Sequence, residues 1–389
     1  MKIGVVTTSF PRYPGDFAGC FVEDAVRELV ARGDDVDVLA AASGTAGDRE
    51  VDQGARLRVF RVAAGPSRGS TAGARAFPLF YGAGAPEALE RGGPGAWSAA
   101  VGFSLGLVAE IRARGADWSR VEAHWLVPCA VAAILAAPAL PLRAHAHSGD
   151  IALLERIPGG RTLARLIARH TTDVAFASED LLRRFARLAG RVVGCVAPVE
   201  ARSLGPRAPR ADVARTHLRQ LLGLRERTVL SVGRLVPIKG FDVLLKAVAL
   251  AGARGTDTAA PLARPEAGTC LHAPEAPVPG LEVVILGDGP ERERLEALAR
   301  RLNVRLRLPG LVLRPEVARW MAAADIYVQP SRRLANGRTE GIPVATREAI
   351  AAGLPLVVTT TGGMPELARR HPDVRLVAPD DPRALARCL

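Results

Sequence analysis

Residues 228–249 read TVLSVGRLVPIKGFDVLLKAVA. A short β-branched run, 228–232, stops at Gly233. An apolar bend flanked by Arg234 and Lys239 follows, and a helical pattern starts at Phe241. Strand, tight loop, helix is the unit from which parallel sheets are built. Two cations at the carboxyl end of a strand, beside a helix N-terminus, make an anion site. Arginine offers a planar fork and lysine a mobile point charge, and a diphosphate can use both. The plainer reading is two solvated cations on a loop.

The same unit recurs on either side. Candidate strands before it are KIGVVTT, DVDVLAA, RLRVFRV, RVEAHW, LRAHAHS, TDVAFAS and RVVGCVAP. After TVLSVG come EVVILG, VRLRLPG, IYVQPS, PLVVTT and VRLVAP. Apolar strands alternating with Ala/Leu/Arg helices predict an α/β protein with parallel sheets covered on both faces. Two series predict two doubly wound, Rossmann-like domains, 1–200 and 227–389. A polar, proline-bearing linker at 201–226 separates them, and ligands should bind in a cleft between strand ends. Residues 252–280, with five prolines and no periodicity, read as an exposed loop insertion, and 63–95 is similarly loose.

Composition narrows the class. With 389 residues and 48% hydrophobic content the chain is globular and long enough for two cores. Its net charge of +12 suits phosphate-bearing ligands, nucleic acid or an anionic membrane surface. Nucleic acid is disfavoured, because no basic helix carries interleaved aromatics and aromatics are only 4%. Five scattered cysteines without a CxxC predict reduced thiols. Lys2 leads straight into the first strand without a signal sequence, which together with the thiols predicts a cytoplasmic protein. The apolar run 127–142 is broken by three prolines and is too short to span a bilayer. GxGxxG after the first strand, GxxxxGK[ST] and zinc spacings are all missing. Asp35 and Asp37 form a DxD, but its alternation reads as a strand edge, so no metal is expected.

A second decisive stretch is EGIPVATREAIAAG, residues 340–353. Pro343 opens a helix, leaving the amides of Gly341 and Ile342 aimed outward as a further phosphate site. Glu348 lies among Ala345, Ala349 and Ala352, a small apolar face where a carboxylate needs a partner. It could accept two hydrogen bonds from a ribose diol, with Glu340 nearer the reacting centre. Its structural alternative is an ion pair with Arg347 or Arg338.

GRLVPIKG, ILGDGPER, LPGLVLRPEV, DIYVQPS and EGIPVATREAIAAGLPLVVTTTGGMPEL, in this order, resemble the GT-B glycosyltransferases of family 4, strongly over about 228–380. The first half resembles them more weakly, through TSFPRYPGDFAGCFV, VEAHWLVP and HAHSGD. The resemblance implies a retaining, metal-independent enzyme with a nucleotide-sugar donor, no cofactor, and a carbohydrate or lipid-linked acceptor. It implies that Glu340 contacts the donor sugar and Glu348 the ribose, while Arg234 and Lys239 neutralise the diphosphate. Gly19 would let backbone approach the phosphate, Val312 would lie against the base, and His147 would face the reacting sugar. His145 is the lesser alternative. The family pattern His-Gly-x-Asp is here His147-Ser148-Gly149-Asp150, and family members continue beyond DPRALARCL into helices that return to the first domain.

Departure of the diphosphate builds negative charge that Arg234, Lys239 and the amides near Gly341 would stabilise, a role given to a metal in DxD enzymes. Retention implies same-face attack, with the leaving phosphate taking the acceptor's proton. Glu340 as a covalent nucleophile is the other route. Rival functions are a nucleotide-sugar epimerase of the same fold and an inactive nucleotide-sugar-binding protein. Finally, RTLARLIARH and EDLLRRFARLAG interleave arginine with apolar residues, as a peripheral interfacial helix does. Their plainer reading is helices that cover the sheet.

Overall fold

The computed structural model describes residues 1–42, 51–52, 56–63, 79–81, 89, 93–197, 212–224, 226–254 and 280–389. The insertion read at 252–280 and the loose stretch 63–95 fall largely outside the described residues. The chain divides into two compact units, Met1–Val199 and Glu200–Leu389.

In the first unit the strands are β1 (Lys2–Val6), β2 (Asp35–Ala41), β3 (Val51–Asp52), β4 (Leu57–Val62), β5 (Arg120–His124), β6 (Leu142–Ala146), β7 (Asp173–Phe176) and β8 (Cys195–Val196). They form one sheet in the order β3-β4-β2-β1-β5-β6-β7-β8. Every pairing is parallel except β3 with β4. Its described helices are α1 (Cys20–Ala31), α2 (Gly93–Arg114), α3 (Val131–Ala136), α4 (Ser148–Arg156), α5 (Gly160–His170) and α6 (Glu179–Ala189). Helix α1 contributes Val22 and Val26 to one apolar cluster, while α2, α3, α5 and α6 share another. Two clusters on one sheet are what a sheet covered on both faces requires. The DxD is consumed here: Asp37 is buried, accepts from Trp118 Nε1 at 2.9 Å and pairs with Arg58. A Cβ at Gly4 would fall within 2.2 Å of Trp118, so glycine in β1 makes room for that indole.

The second unit holds α7 (Asp212–Leu221), β9 (Arg227–Val232), α8 (Phe241–Arg254), β10 (Leu281–Leu286), α9 (Arg292–Arg301), β11 (Arg305–Gly310), α10 (Arg314–Ala323), β12 (Ile326–Gln329), α11 (Val344–Ala351), β13 (Leu356–Thr359), α12 (Met364–Arg370), β14 (Val374–Val377) and α13 (Pro382–Ala386). Its sheet is wholly parallel, in the order β11-β10-β9-β12-β13-β14. That is the doubly wound dinucleotide-fold order, whose direction reverses between β9 and β12. A ligand crevice belongs at the carboxyl ends of those two strands.

Two expectations change. The stretch read as a linker contains α7, and Arg219 of that helix donates to Asp325 at 3.0 Å, with Arg215 on the same carboxylate. These two arginines of α7 form their ion pairs within the second unit. Cys20, Cys129 and Cys195 are thiols outside any disulfide, but Cys388 is disulfide-bonded, which departs from five reduced thiols.

Candidate active site

Strand β9 ends at Val232, directly before Gly233, and Lys239 closes the following turn just before α8. A Cβ on Gly233 would meet Lys239 Cε at 2.8 Å and Nζ at 3.0 Å, so the missing side chain is the channel through which the lysine runs. The turn is fixed from a second loop: Leu235 N–H donates to Asp288 O at 2.9 Å and Glu291 N–H to Leu235 O at 3.0 Å. Gly287 is required there, since a Cβ would lie 2.0 Å from Gly233 O. Arg234 sits half-buried in the turn.

Lys239 Nζ lies 2.7 Å from Glu340 Oε1, and both side chains are mostly buried. Gln329 Nε2 donates to Glu340 Oε2 at 3.3 Å, and the Ser331 hydroxyl donates to the same oxygen. Tyr327 supports this from below, donating to Gln329 Oε1 at 2.9 Å, and burial holds its phenol neutral. Tyr327 and Gln329 belong to β12 and Ser331 directly follows it. The acid, the cation and their supports thus converge at the point where strand order reverses. Both oxygens of Glu340 are engaged, so this carboxylate is held in one orientation.

Glu348 has the partner its apolar surroundings demand. It is 6% exposed, and Arg314 Nε donates to its Oε1 at 3.0 Å. Sequence reasoning offered Arg347 and Arg338 as partners and did not name Arg314, which comes from the start of α10, thirty-four residues away in sequence. Helix α11 begins at Val344 with Pro343 as its N-cap, one position later than the sequence reading. Gly341 and Ile342 lie just before it and are half-buried. Gly362, with φ 52°, packs against this approach: a Cβ there would sit 1.7 Å from Glu340 O. Val312 follows β11 and packs, with Ile342 and Ala345, on the apolar cluster that contains Ala349.

Other candidates sit in the first unit. Gly19, with φ 71°, caps α1, and a Cβ would lie 2.3 Å from Ser9 O, so only glycine lets the loop after β1 meet the helix start. His147 caps α4. Its N–H donates to Asp150 Oδ1 at 3.0 Å, and Asp150 also accepts from Leu126 N–H at 2.7 Å and Ile151 N–H at 2.9 Å. Asp150 thus closes the loop despite the Ser-Gly order. Burial pushes its carboxyl up to about 7, against the backbone amides that favour the anion. Burial, helped by His145, pushes His147 down to about 3, so its imidazole is neutral near pH 7. Its Nε2 is buried without a hydrogen-bond partner, and Trp125 and Phe21 flank the ring at centroid distances of 4.5 and 5.1 Å. His145 is committed elsewhere: its Nε2 lies 3.1 Å from Glu122, and its ring stacks on His124 at 4.2 Å.

Sequence reasoning missed Gln329, Ser331, Arg314, Gly287 and Gly362. Ser331 and Gln329 stood in DIYVQPS, at the end of a predicted strand, which was the available signal. Among the described residues, no group of three His, Cys, Asp or Glu side chains could hold a metal ion.

Residues 226–389 match the family described as Glycosyl transferases group 1. The GDP-mannose-dependent alpha-(1-6)-phosphatidylinositol monomannoside mannosyltransferase of Mycobacterium tuberculosis (strain ATCC 25618 / H37Rv) is 30% identical over 268 residues, 64% of this chain and 61% of that protein. The chain therefore spans less than two thirds of that relative's length. The D-inositol 3-phosphate glycosyltransferase of Xylanimonas cellulosilytica is 28% identical over 391 residues, covering 96% of this chain and 83% of that protein. Among solved structures, sucrose-phosphate synthase from Thermosynechococcus elongatus superposes with a TM-score of 0.72 at 19% identity, covering 100% of this chain and 88% of that one. Anabaena HepE in complex with UDP-glucose gives 0.63 at 20% identity, covering 99% of this chain and 88% of that one. These two likenesses show the fold: two Rossmann-like units of the GT-B kind.

Proposed function

We propose, from a chain whose residues 226–389 belong to the group 1 glycosyl transferases, that this protein moves a glycosyl group from a nucleoside-diphosphate sugar to an acceptor hydroxyl. One observation carries the reading: Lys239, Glu340 and the start of α11 meet at the strand-order reversal of a doubly wound sheet. The relatives' names support the donor class, since one is a GDP-mannose-dependent enzyme and one structural neighbour was solved with UDP-glucose. Relatives named for phosphatidylinositol and inositol acceptors support a carbohydrate or lipid-linked acceptor.

The chemistry follows from charge. Cleavage of the anomeric bond leaves positive charge on the sugar and negative charge on the departing diphosphate. Arg234, Lys239 and the amides of Gly341 and Ile342 would take up that negative charge, so the reaction proceeds without a metal. Glu348, steadied by Arg314, would accept from the ribose hydroxyls, while Val312 lies against the base. Glu340 would orient the donor sugar; with both oxygens already engaged it suits positioning better than covalent attack. Retention follows if the acceptor approaches from the face the diphosphate leaves, its proton passing to a phosphate oxygen as the new glycosidic bond forms. His147, a neutral imidazole, would hydrogen-bond a sugar hydroxyl. Gly19 would admit backbone to the phosphate. The expected location is the cytoplasm.

A thermal-shift screen of GDP- and UDP-sugars tests the donor, because a bound donor stabilises the fold. Stabilisation by a nucleotide sugar, and transfer that survives EDTA, are the expected results. No shift with any nucleotide sugar refutes the donor assignment, and a strict requirement for manganese or magnesium refutes the metal-free chemistry.

A further inference from the structure

Tyr327, Gln329 and Ser331 stand two residues apart along β12 and its extension, a spacing that sets their side chains on one face. All three are wholly buried, at 0% exposure. A phenol, an amide and a hydroxyl cost free energy in such a place unless they are hydrogen-bonded. Here they satisfy one another in a chain. The Tyr327 hydroxyl donates to Gln329 Oε1 at 2.9 Å, and Gln329 Nε2 donates to Ser331 Oγ at 2.9 Å and to Glu340 Oε2 at 3.3 Å. The Ser331 hydroxyl donates to the same Glu340 oxygen. Apolar groups of the same shape would be about as stable, so stability alone does not call for this chain.

Every proton in the chain points toward Glu340. Burial keeps the Tyr327 phenol neutral, so its one proton goes to Gln329 Oε1 and the amide presents Nε2 to the carboxylate. A carboxylate offers about four acceptor sites. Lys239 Nζ takes one on Oε1 at 2.7 Å, while Ser331 and Gln329 take the two on Oε2. Among the described bonds one site is left, on Oε1 beside the lysine. The backbone after β12 is pinned in this arrangement. Arg332 N–H donates to Ile238 O at 2.9 Å, Thr359 Oγ1 donates to Ser331 O, and a Cβ on Gly240 would lie 2.0 Å from Pro330 O.

We propose that Gln329 and Tyr327 are positioning residues for glycosyl transfer, which act by leaving Glu340 a single acceptor site, on Oε1 next to Lys239, for a hydroxyl of the donor sugar. Their burial keeps both out of a ligand's reach, so whatever they contribute passes through Glu340. A carboxylate free to turn would offer that hydroxyl a different lone pair and shift the sugar, and a misplacement of about 1 Å can cost a hundredfold in rate. This inference rests on the proposed reaction, in which Glu340 orients the donor sugar, and names the residues that hold it there.

The test uses the full chain and the GDP- or UDP-sugar that gives the largest thermal shift, with release of the nucleoside diphosphate as the readout. Gln329→Met should lower kcat at least about tenfold, while KM changes less than about threefold. Tyr327→Phe should lower kcat by less. The two together should lower it no further than Gln329→Met alone, because both act through one carboxylate. The double variant exchanges the polar chain for apolar groups of similar size, and unchanged circular dichroism confirms that it folds. Gln329→Glu gives a readout that needs no substrate. Its new carboxyl can donate to Glu340 only when protonated, and the neighbouring carboxylate raises its pKa in the folded state. The folded chain then binds the extra proton, so urea stability relative to wild type should fall as pH rises above about 4.3. Three results overturn the proposal: a kcat of Gln329→Met within about twofold of wild type, losses that multiply in the double variant, or a Gln329→Glu stability that tracks wild type at every pH. Calorimetry with GDP and UDP separates the two levels. A wild type that binds neither refutes the proposed reaction and this inference with it, whereas binding with an unchanged kcat in Gln329→Met refutes this inference alone.

Discussion

Replacing Lys239 by Met and Glu340 by Gln, singly and together, separates what holds this site together from what it binds. The two charges lie 2.7 Å apart, with side chains only 11% and 15% exposed. Removing either partner leaves the other ionised in a poorly solvated place. Fully buried pairs lose about 3–5 kcal/mol when one partner is removed. With the remaining water access and the bonds from Ser331 and Gln329, each single variant should lose about 2–3 kcal/mol of unfolding free energy. The double variant removes both charges and keeps size and shape. Its loss should fall short of the summed single losses by about 1–3 kcal/mol, the coupling of the pair. Nucleoside-diphosphate affinity should behave differently. Lys239→Met should weaken it by about 1.5–3 kcal/mol, roughly 10- to 150-fold, and the double variant should not recover it. Urea unfolding and titration calorimetry on the same four proteins supply both numbers. Strictly additive unfolding losses would refute the pair, and unchanged affinity in Lys239→Met would refute the anion site.

Three further outcomes are expected. Glu348→Gln should weaken a ribonucleotide diphosphate yet barely change its 2′-deoxy analogue; equal weakening in calorimetry would make Glu348 a purely structural partner of Arg314. Gly233→Ala, at φ 158°, would push the end of Lys239 off its pair with Glu340, so it should cost about 1–3 kcal/mol of stability and reduce diphosphate affinity, whereas Gly362→Ala meets the Glu340 carbonyl at 1.7 Å and should cost more in the same urea measurement. His147 titrates near 3 when folded and near 6.5 when unfolded, so the unfolded chain binds the extra proton between those values. Stability should therefore fall as pH drops below about 6.5, by up to ~1.4 kcal/mol per pH unit. His147→Phe should flatten that slope, and a slope unchanged by the substitution would show that the ring is not held neutral.

Much of this protein was legible in the chain itself. Each strand series appeared as apolar runs, because both faces of a parallel sheet are buried and burial writes itself into composition. Gly233, Arg234 and Lys239 were legible because a strand, a loop and a helix follow one another without interruption. Glu348 was legible as a misplaced acid, a carboxylate among alanines. Its partner was not: Arg314 lies thirty-four residues away on another helix, and many arginines in this sequence were equal candidates. Nor could the sequence join Lys239 to Glu340. That ion pair exists because β9 and β12 are neighbours in the sheet, and strand order is a long-range property that local periodicity does not encode. Exposure followed the same division. Periodicity showed that α5 and α6 each have an arginine face, but only packing decided that Arg184 is buried against Glu155 while Arg161, Arg165 and Arg169 face water. Sequence alone thus determined which segments are strands and helices and which residues carry charge. Tertiary structure decided which charges meet, because an ion pair forms where the chain returns through space, not where its residues follow in order.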